Sequence, residues 1–121
     1  MFTKLWWPKL FLIMNKYKNK IVFVDGIRFH SILESKRYLF LKCSKKVKSF
    51  KRQVPFIVAK YGNKVIKYYA DFVVEWESDH HTVEDVKGYR TQLYVLKSAL
   101  VYEKYGKSIL EIDKHNLTIE F

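Results

Sequence analysis

At 121 residues the chain is the size of one domain, and with 49% hydrophobic and 17% aromatic residues it holds the material for a packed core, which excludes a disordered basic tail. Its 23 Lys and Arg against 12 Asp and Glu leave a net charge of +11, a balance that suits polyanionic partners. The single cysteine, Cys43, excludes a disulfide framework and a Cys-based zinc finger, and fits a reducing, cytoplasmic setting.

The opening run Leu5 to Met14 is apolar but interrupted by Pro8 and Lys9. It is shorter than the roughly 20 residues needed to span a bilayer, and no small-residue cleavage site follows it. Residues 1–14 therefore read as an appended segment that packs on the domain or on a partner, with no transmembrane segment and membrane-surface attachment only a minor alternative. Residues 15–121 read as a single domain. Ile21 to Val24, the turn Asp25-Gly26 and Ile27 to His30 predict a small hairpin. Ser31 stands three residues before Glu34, a capping-box spacing that starts a helix running to about Ser44. Residues 47–59 look extended, with Pro55 marking an edge or a bulge. After the turn Tyr61-Gly62-Asn63, residues 64–76 are β-branched and aromatic and predict a long strand. A turn at residues 77–80 leads into a strand from His81 to Lys87, stopped by Gly88. Thr91 to Tyr105 has helical spacing, with Thr91 as N-cap and Gly106 as C-cap. Residues 108–112 and 117–121 read as terminal strands. The order predicts an α/β fold built on one mixed sheet with a helix on each side.

Charge is uneven along this order. Residues 1–70 carry 17 basic and two acidic residues, and residues 71–121 carry six basic and ten acidic. Six of the acids fall between Asp71 and Asp85. Asp71 lies inside an apolar strand, where a lone carboxylate is costly to bury. A hairpin turning at residues 77–80 pairs residues whose numbers sum to about 156, which sets Asp71 opposite Asp85. Two neighbouring carboxylates repel, and a divalent cation between them removes the repulsion. Hard oxygen ligands on adjacent strands suit Mg²⁺. Asp85 and Lys87 share one strand face and Glu84 points to the other, toward a helix or solvent. The same residues also allow an ion pair with no metal. His80-His81 reads as a solvated turn, since adjacent side chains point apart.

Asp71, followed by Asp85-Val86-Lys87, resembles the signature of the PD-(D/E)XK nuclease superfamily, with Ala70 in place of its proline. Asn15-Lys16-Tyr17, Asp25-Gly26-Ile27-Arg28-Phe29, Ser31 to Glu34, Arg37-Tyr38, Gln53-Val54-Pro55-Phe56, Tyr69-Ala70-Asp71-Phe72 and Glu84-Asp85-Val86-Lys87-Gly88 are similar to a family of small phage and prophage proteins assigned to that superfamily. The likeness covers roughly residues 15–113, and His30 stands where that family often has Asp. The resemblance implies a restriction-endonuclease-like central sheet and hydrolysis of DNA phosphodiester bonds. It implies Mg²⁺, with Mn²⁺ able to substitute, held by Asp71, Asp85, the carbonyl of Val86 and Glu34. Lys87 would orient the attacking water or stabilise the developing charge. Glu34 has a competing role as the capping-box acid.

Lys36, Arg37, Lys42, Lys45, Lys46, Lys48, Lys51 and Arg52 form a run with no acid among them. Such a run reads as a phosphate-binding face, without any signature of sequence-specific readout. The reading that unites these features is a Mg²⁺-dependent DNA endonuclease from a phage or prophage, acting in the host cytoplasm. A structure-selective enzyme of recombination, such as a Holliday-junction resolvase, or a nicking enzyme fits the small size. Symmetric cutting of two strands would need a homodimer. The alternative is a non-catalytic DNA-binding or assembly protein on a degenerate nuclease fold.

Overall fold

The computed structural model describes residues 11–14 and 20–121. Of the apolar segment 1–14, only β1 (Phe11–Met14) therefore lies among the described residues; it pairs antiparallel with β2 (Lys20–Val24), which pairs in turn with β3 (Ile27–Phe29). Asp25 and Gly26 turn β2 into β3 with positive φ at both positions, the conformation a two-residue hairpin turn requires.

Helix α1 (Ile32–Cys43) starts where Ser31 Oγ accepts the Glu34 N–H at 3.0 Å, as the capping spacing predicts. One long hairpin follows, β4 (Val47–Tyr61) and β5 (Lys64–Trp76), and then β6 (His81–Val86). Helix α2 (Gln92–Tyr105) is capped by Thr91 at its start and by left-handed Gly106 at its end. It crosses over to β7 (Ile109–Ile112), which lies parallel to β6. The second sheet thus has the order β4-β5-β6-β7 and is mixed.

The two helices cover separate cores. Tyr38, Leu39 and Leu41 of α1 pack with Val22, Val24, Phe29, Phe72, Val74 and Trp76. Tyr94 and Val101 of α2 pack with Val58, Tyr68, Ala70 and Val83. The α/β class and the two flanking helices agree with expectation, but the single sheet does not. Both edges of β2 are taken by β1 and β3, and the three-residue β3 runs directly into the α1 cap. The N-terminal strands therefore close a three-stranded sheet of their own.

The predicted strand at residues 117–121 is also absent. There the Ile119 N–H bonds the Asn116 carbonyl in a turn, and the Leu117 and Ile119 carbonyls accept from Arg37. A guanidinium takes the place of a neighbouring strand, and Phe121 settles against Trp76, 5.5 Å between ring centres. Among the described residues no helix is long and apolar enough to cross a membrane.

Candidate metal and phosphodiester site

The β5–β6 ladder runs from Glu75↔His81 to Phe72↔Glu84 and then stops. Its pairs sum to 156, the register the turn predicts. One step further, Asp71 takes over with its side chain: Oδ2 accepts the Val86 N–H at 2.8 Å. The Asp71 and Asp85 carboxyls lie within hydrogen-bonding reach of each other. The Asp85 side chain is then held from both ends. Its Oδ2 accepts the Tyr68 hydroxyl at 2.6 Å and its Oδ1 lies 3.3 Å from Lys87 Nζ. Lys87 in turn stands over the Tyr94 ring, 4.7 Å from its centre.

Glu34 approaches from the first turn of α1. Gln53 of β4 joins it to Asp71: its amide nitrogen donates to Glu34 Oε2 at 3.1 Å and to Asp71 Oδ1 at 3.0 Å. The Glu34 carboxylate also accepts the His30 backbone N–H, one residue before the cap. The carboxylate thus reaches back to His30, the residue before the N-cap, while lying beside Asp71. Arg52 sits beside it with its guanidinium 4.4 Å over the Phe29 ring and Nη2 3.8 Å from Glu34 Oε2, and its buried Nε has no hydrogen-bond partner among the described residues.

Three acids so placed resist ionisation. Burial raises Glu34, against the pull of Arg52. Burial raises Asp71, and the Glu34 charge adds to it. Burial pushes Asp85 up to about 6; the Asp71 charge adds to the rise, while Tyr68 and Lys87 oppose it. Burial and the Asp85 carboxylate raise the Tyr68 hydroxyl in turn, so it stays a donor.

The donor set decides which cation would fit. Among the described residues no three His, Cys, Asp or Glu side chains are placed to hold one ion together. Mg²⁺ needs only one or two carboxylates, with water and substrate phosphate filling its remaining positions. The pair Asp71 and Asp85 meets that need, whereas Glu34 is tied to Asp71 through the Gln53 amide. Val86 meets the site through its N–H, and the predicted metal role belongs to its carbonyl.

The basic run divides. Arg37 leaves the predicted phosphate face entirely: it is fully buried, with Nε and Nη2 each 2.7 Å from the Glu84 carboxylate. Glu84 is the helix-facing partner that strand alternation implies. Lys42 is tied to Asp25 and stands over Tyr38. Arg52 belongs to the carboxylate site. Lys45, Lys46, Lys48 and Lys51 are exposed, Lys46 and Lys48 lying 3.9 Å from Glu120 and Glu75, and Lys36 is half-buried.

Sequence reasoning assigned no role to Gln53 or Tyr68. Gln53 had one readable signal, since it lies opposite Asp71 once the strands are paired; Tyr68 looks like any other aromatic of a β-strand. His80 and His81 are both exposed, but only His80 lies in the turn; His81 opens β6 opposite Glu75, with Nε2 3.5 Å from its carboxylate.

The profile of a family described as "Protein of unknown function (DUF1064)" matches residues 14–116. No curated protein and no solved structure matches the chain.

Proposed function

The chain belongs to the DUF1064 family, and we propose that it is a Mg²⁺-dependent DNA endonuclease of the PD-(D/E)XK type from a phage or prophage, acting as a homodimer in the host cytoplasm. The observation that carries the reading is the meeting of Asp71, Asp85 and Lys87 where β5 and β6 part. Burial raises both carboxyls and the Asp71 charge raises Asp85 further, a pairing that is unfavourable on its own and favourable around a cation.

Asp71 and Asp85 would hold the Mg²⁺, with the Val86 carbonyl beside them. When bound, the ion neutralises charge on the scissile phosphate and acidifies a coordinated water. The chain's own groups do the rest. Tyr68 and Lys87 hold Asp85 in one orientation, and the Val86 N–H does the same for Asp71. Lys87, with Nζ 3.3 Å from Asp85 Oδ1, would orient the attacking water and stabilise charge on the phosphate oxygens. Gln53 and Glu34 brace Asp71 from the α1 side. The exposed lysines at positions 45, 46, 48 and 51 supply contacts to the DNA backbone.

A second reading, a DNA-binding assembly protein without chemistry, has one observation in its favour. The Gln53 amide donates to two of the predicted ligands at once, Glu34 and Asp71, and so gives both a protein hydrogen-bond partner. Incubating the protein with linear, nicked and four-way-junction DNA in Mg²⁺, Mn²⁺ and EDTA separates the two. Metal-dependent products support the nuclease. Tight binding with no product under any metal supports the binding protein.

A further inference from the structure

The β4–β5 hairpin outruns the sheet to which it belongs. β6 pairs with β5 only from Phe72 to Glu75, so residues 54–61 and 64–70 continue as a two-stranded ribbon. Helix α2 covers one side of it near Phe56 and Tyr68, where Tyr105 meets the Phe56 ring and bonds the Ile57 carbonyl. Along β5 the burial alternates: Lys67 and Tyr69 are exposed, Tyr68 and Ala70 buried.

Strand alternation places the exposed row Val65, Lys67 and Tyr69 on one face, and the row ends two residues before Asp71. Toward the tip, Tyr61 is 80% exposed and Tyr69 is 52% exposed. Lys60, Lys64 and Lys67 are exposed beside them. No acidic residue occurs from Ser35 through Ala70. A projecting ribbon that is cationic, aromatic and free of carboxylates is complementary to a polyanion rather than to a mixed-charge protein surface.

We propose that this ribbon is a nucleic-acid contact separate from the Lys45–Lys51 run, lying in a groove of duplex DNA on one flank of the phosphate held at Asp71. Its position relative to the cut rests on the nuclease reading above; its binding of DNA does not. The major groove admits a two-stranded β-ribbon. Lys67 lies about 13 Å along the strand from Asp71 at about 3.3 Å per residue, or about four base pairs of duplex at about 3.4 Å each. Lys60 and Lys64 extend the track further, and Tyr61 and Tyr69 offer ring faces to sugars and bases.

The test is DNA affinity in EDTA across a KCl series, using a 30-base-pair duplex. The variants are the full chain with Lys60→Gln, Lys64→Gln and Lys67→Gln together, and separately Tyr61→Ala. These side chains lie on the surface, and equal melting temperatures would verify the fold. The triple variant should bind at least ten-fold more weakly at low salt, and its log–log salt slope should shrink by about 2.7, near 0.9 per lost phosphate contact. Tyr61→Ala should weaken binding with the slope unchanged. An unchanged affinity and slope in the triple variant overturns the proposal, as does a wild-type protein that binds no DNA, which would point the ribbon to an acidic protein partner. Cleavage in Mg²⁺ is scored on the same preparations. A wild type that binds through the ribbon yet cuts nothing leaves this inference standing and removes the nuclease reading alone.

Discussion

Gln53 lies across the β4–β5 ladder from Asp71, between the pairs Arg52↔Phe72 and Val54↔Ala70, and donates its side-chain amide to the Asp71 carboxylate at 3.0 Å. It does so from a left-handed backbone, φ 50°, in the middle of a strand. A non-glycine residue in that region carries strain, and such strain concentrates at functional sites. Here it aims one amide at two carboxylates at once.

Replacing that amide by a carboxylate should be costly in a readable way. Gln53→Glu removes two donated hydrogen bonds and adds a third negative charge beside Glu34 and Asp71. The loss should be on the order of 2 kcal/mol in EDTA at pH 7.5, and Mg²⁺ should recover more stability in this variant than in the wild type. Thermal melts with and without Mg²⁺ measure both. Equal melting temperatures in EDTA would mean that the amide does not hold the site together.

Asp85 should make the metal-free protein less stable as pH rises. Its pKa in the folded chain is raised to about 6, against about 3.9 in an unfolded chain. Between those values the folded state binds more protons. The contribution is therefore fully present below about pH 4, is lost as pH climbs through about 6, and is flat beyond. Asp85→Asn has no such titration. The stability of the variant relative to wild type should rise by about 3 kcal/mol between pH 4 and 6 in EDTA and then level off. Urea unfolding at several pH values checks this, and a difference independent of pH contradicts it.

The buried pair Arg37 and Glu84 is a structural clamp rather than part of the DNA face. Arg37→Ala or Glu84→Ala strands a buried charge and should cost about 3–5 kcal/mol. The joint replacement Arg37→Met with Glu84→Leu should recover most of that loss. It also frees the Leu117 and Ile119 carbonyls, so protease sensitivity of the C-terminal residues should increase. A single variant as stable as wild type would show the clamp to be dispensable.

Of the basic run, Lys45, Lys46 and Lys48 remain exposed, and their joint neutralisation should reduce the DNA salt slope by about 2.7 while leaving cleavage at saturating DNA little changed. An unchanged slope would remove these lysines from the footprint.

Much of this architecture was legible in the residues. The α1 capping spacing, the Thr91 and Gly106 caps, the strand from Lys64 to Trp76 and the β5–β6 register all rest on local rules, and the structure follows them. What escaped notice depends on partners distant in sequence. Arg37 reads as a surface cation within a lysine-rich run, and only the fold brings Glu84 to it across 47 positions. The C-terminal residues alternate as a strand would, yet their carbonyls go to that same guanidinium. The roles of Gln53 and Tyr68 need the strands to be paired and bent before either side chain can reach a carboxylate. The separate N-terminal sheet depends on β1, a segment read as lying outside the domain.

The central claim is that the carboxylates around Asp71 perform phosphodiester chemistry through a bound divalent ion. The most direct measurement is single-turnover cleavage of pre-bound DNA in Mg²⁺ by wild type, Asp71→Ala and Lys87→Ala, with affinity measured in EDTA. The account predicts that Asp71→Ala cuts nothing while binding DNA as tightly as wild type or more tightly, because one repelling charge is gone. It predicts that Lys87→Ala cuts about 10²–10³-fold more slowly with metal binding near normal by calorimetry. Cleavage by Asp71→Ala at the wild-type rate would place the chemistry elsewhere and contradict the account.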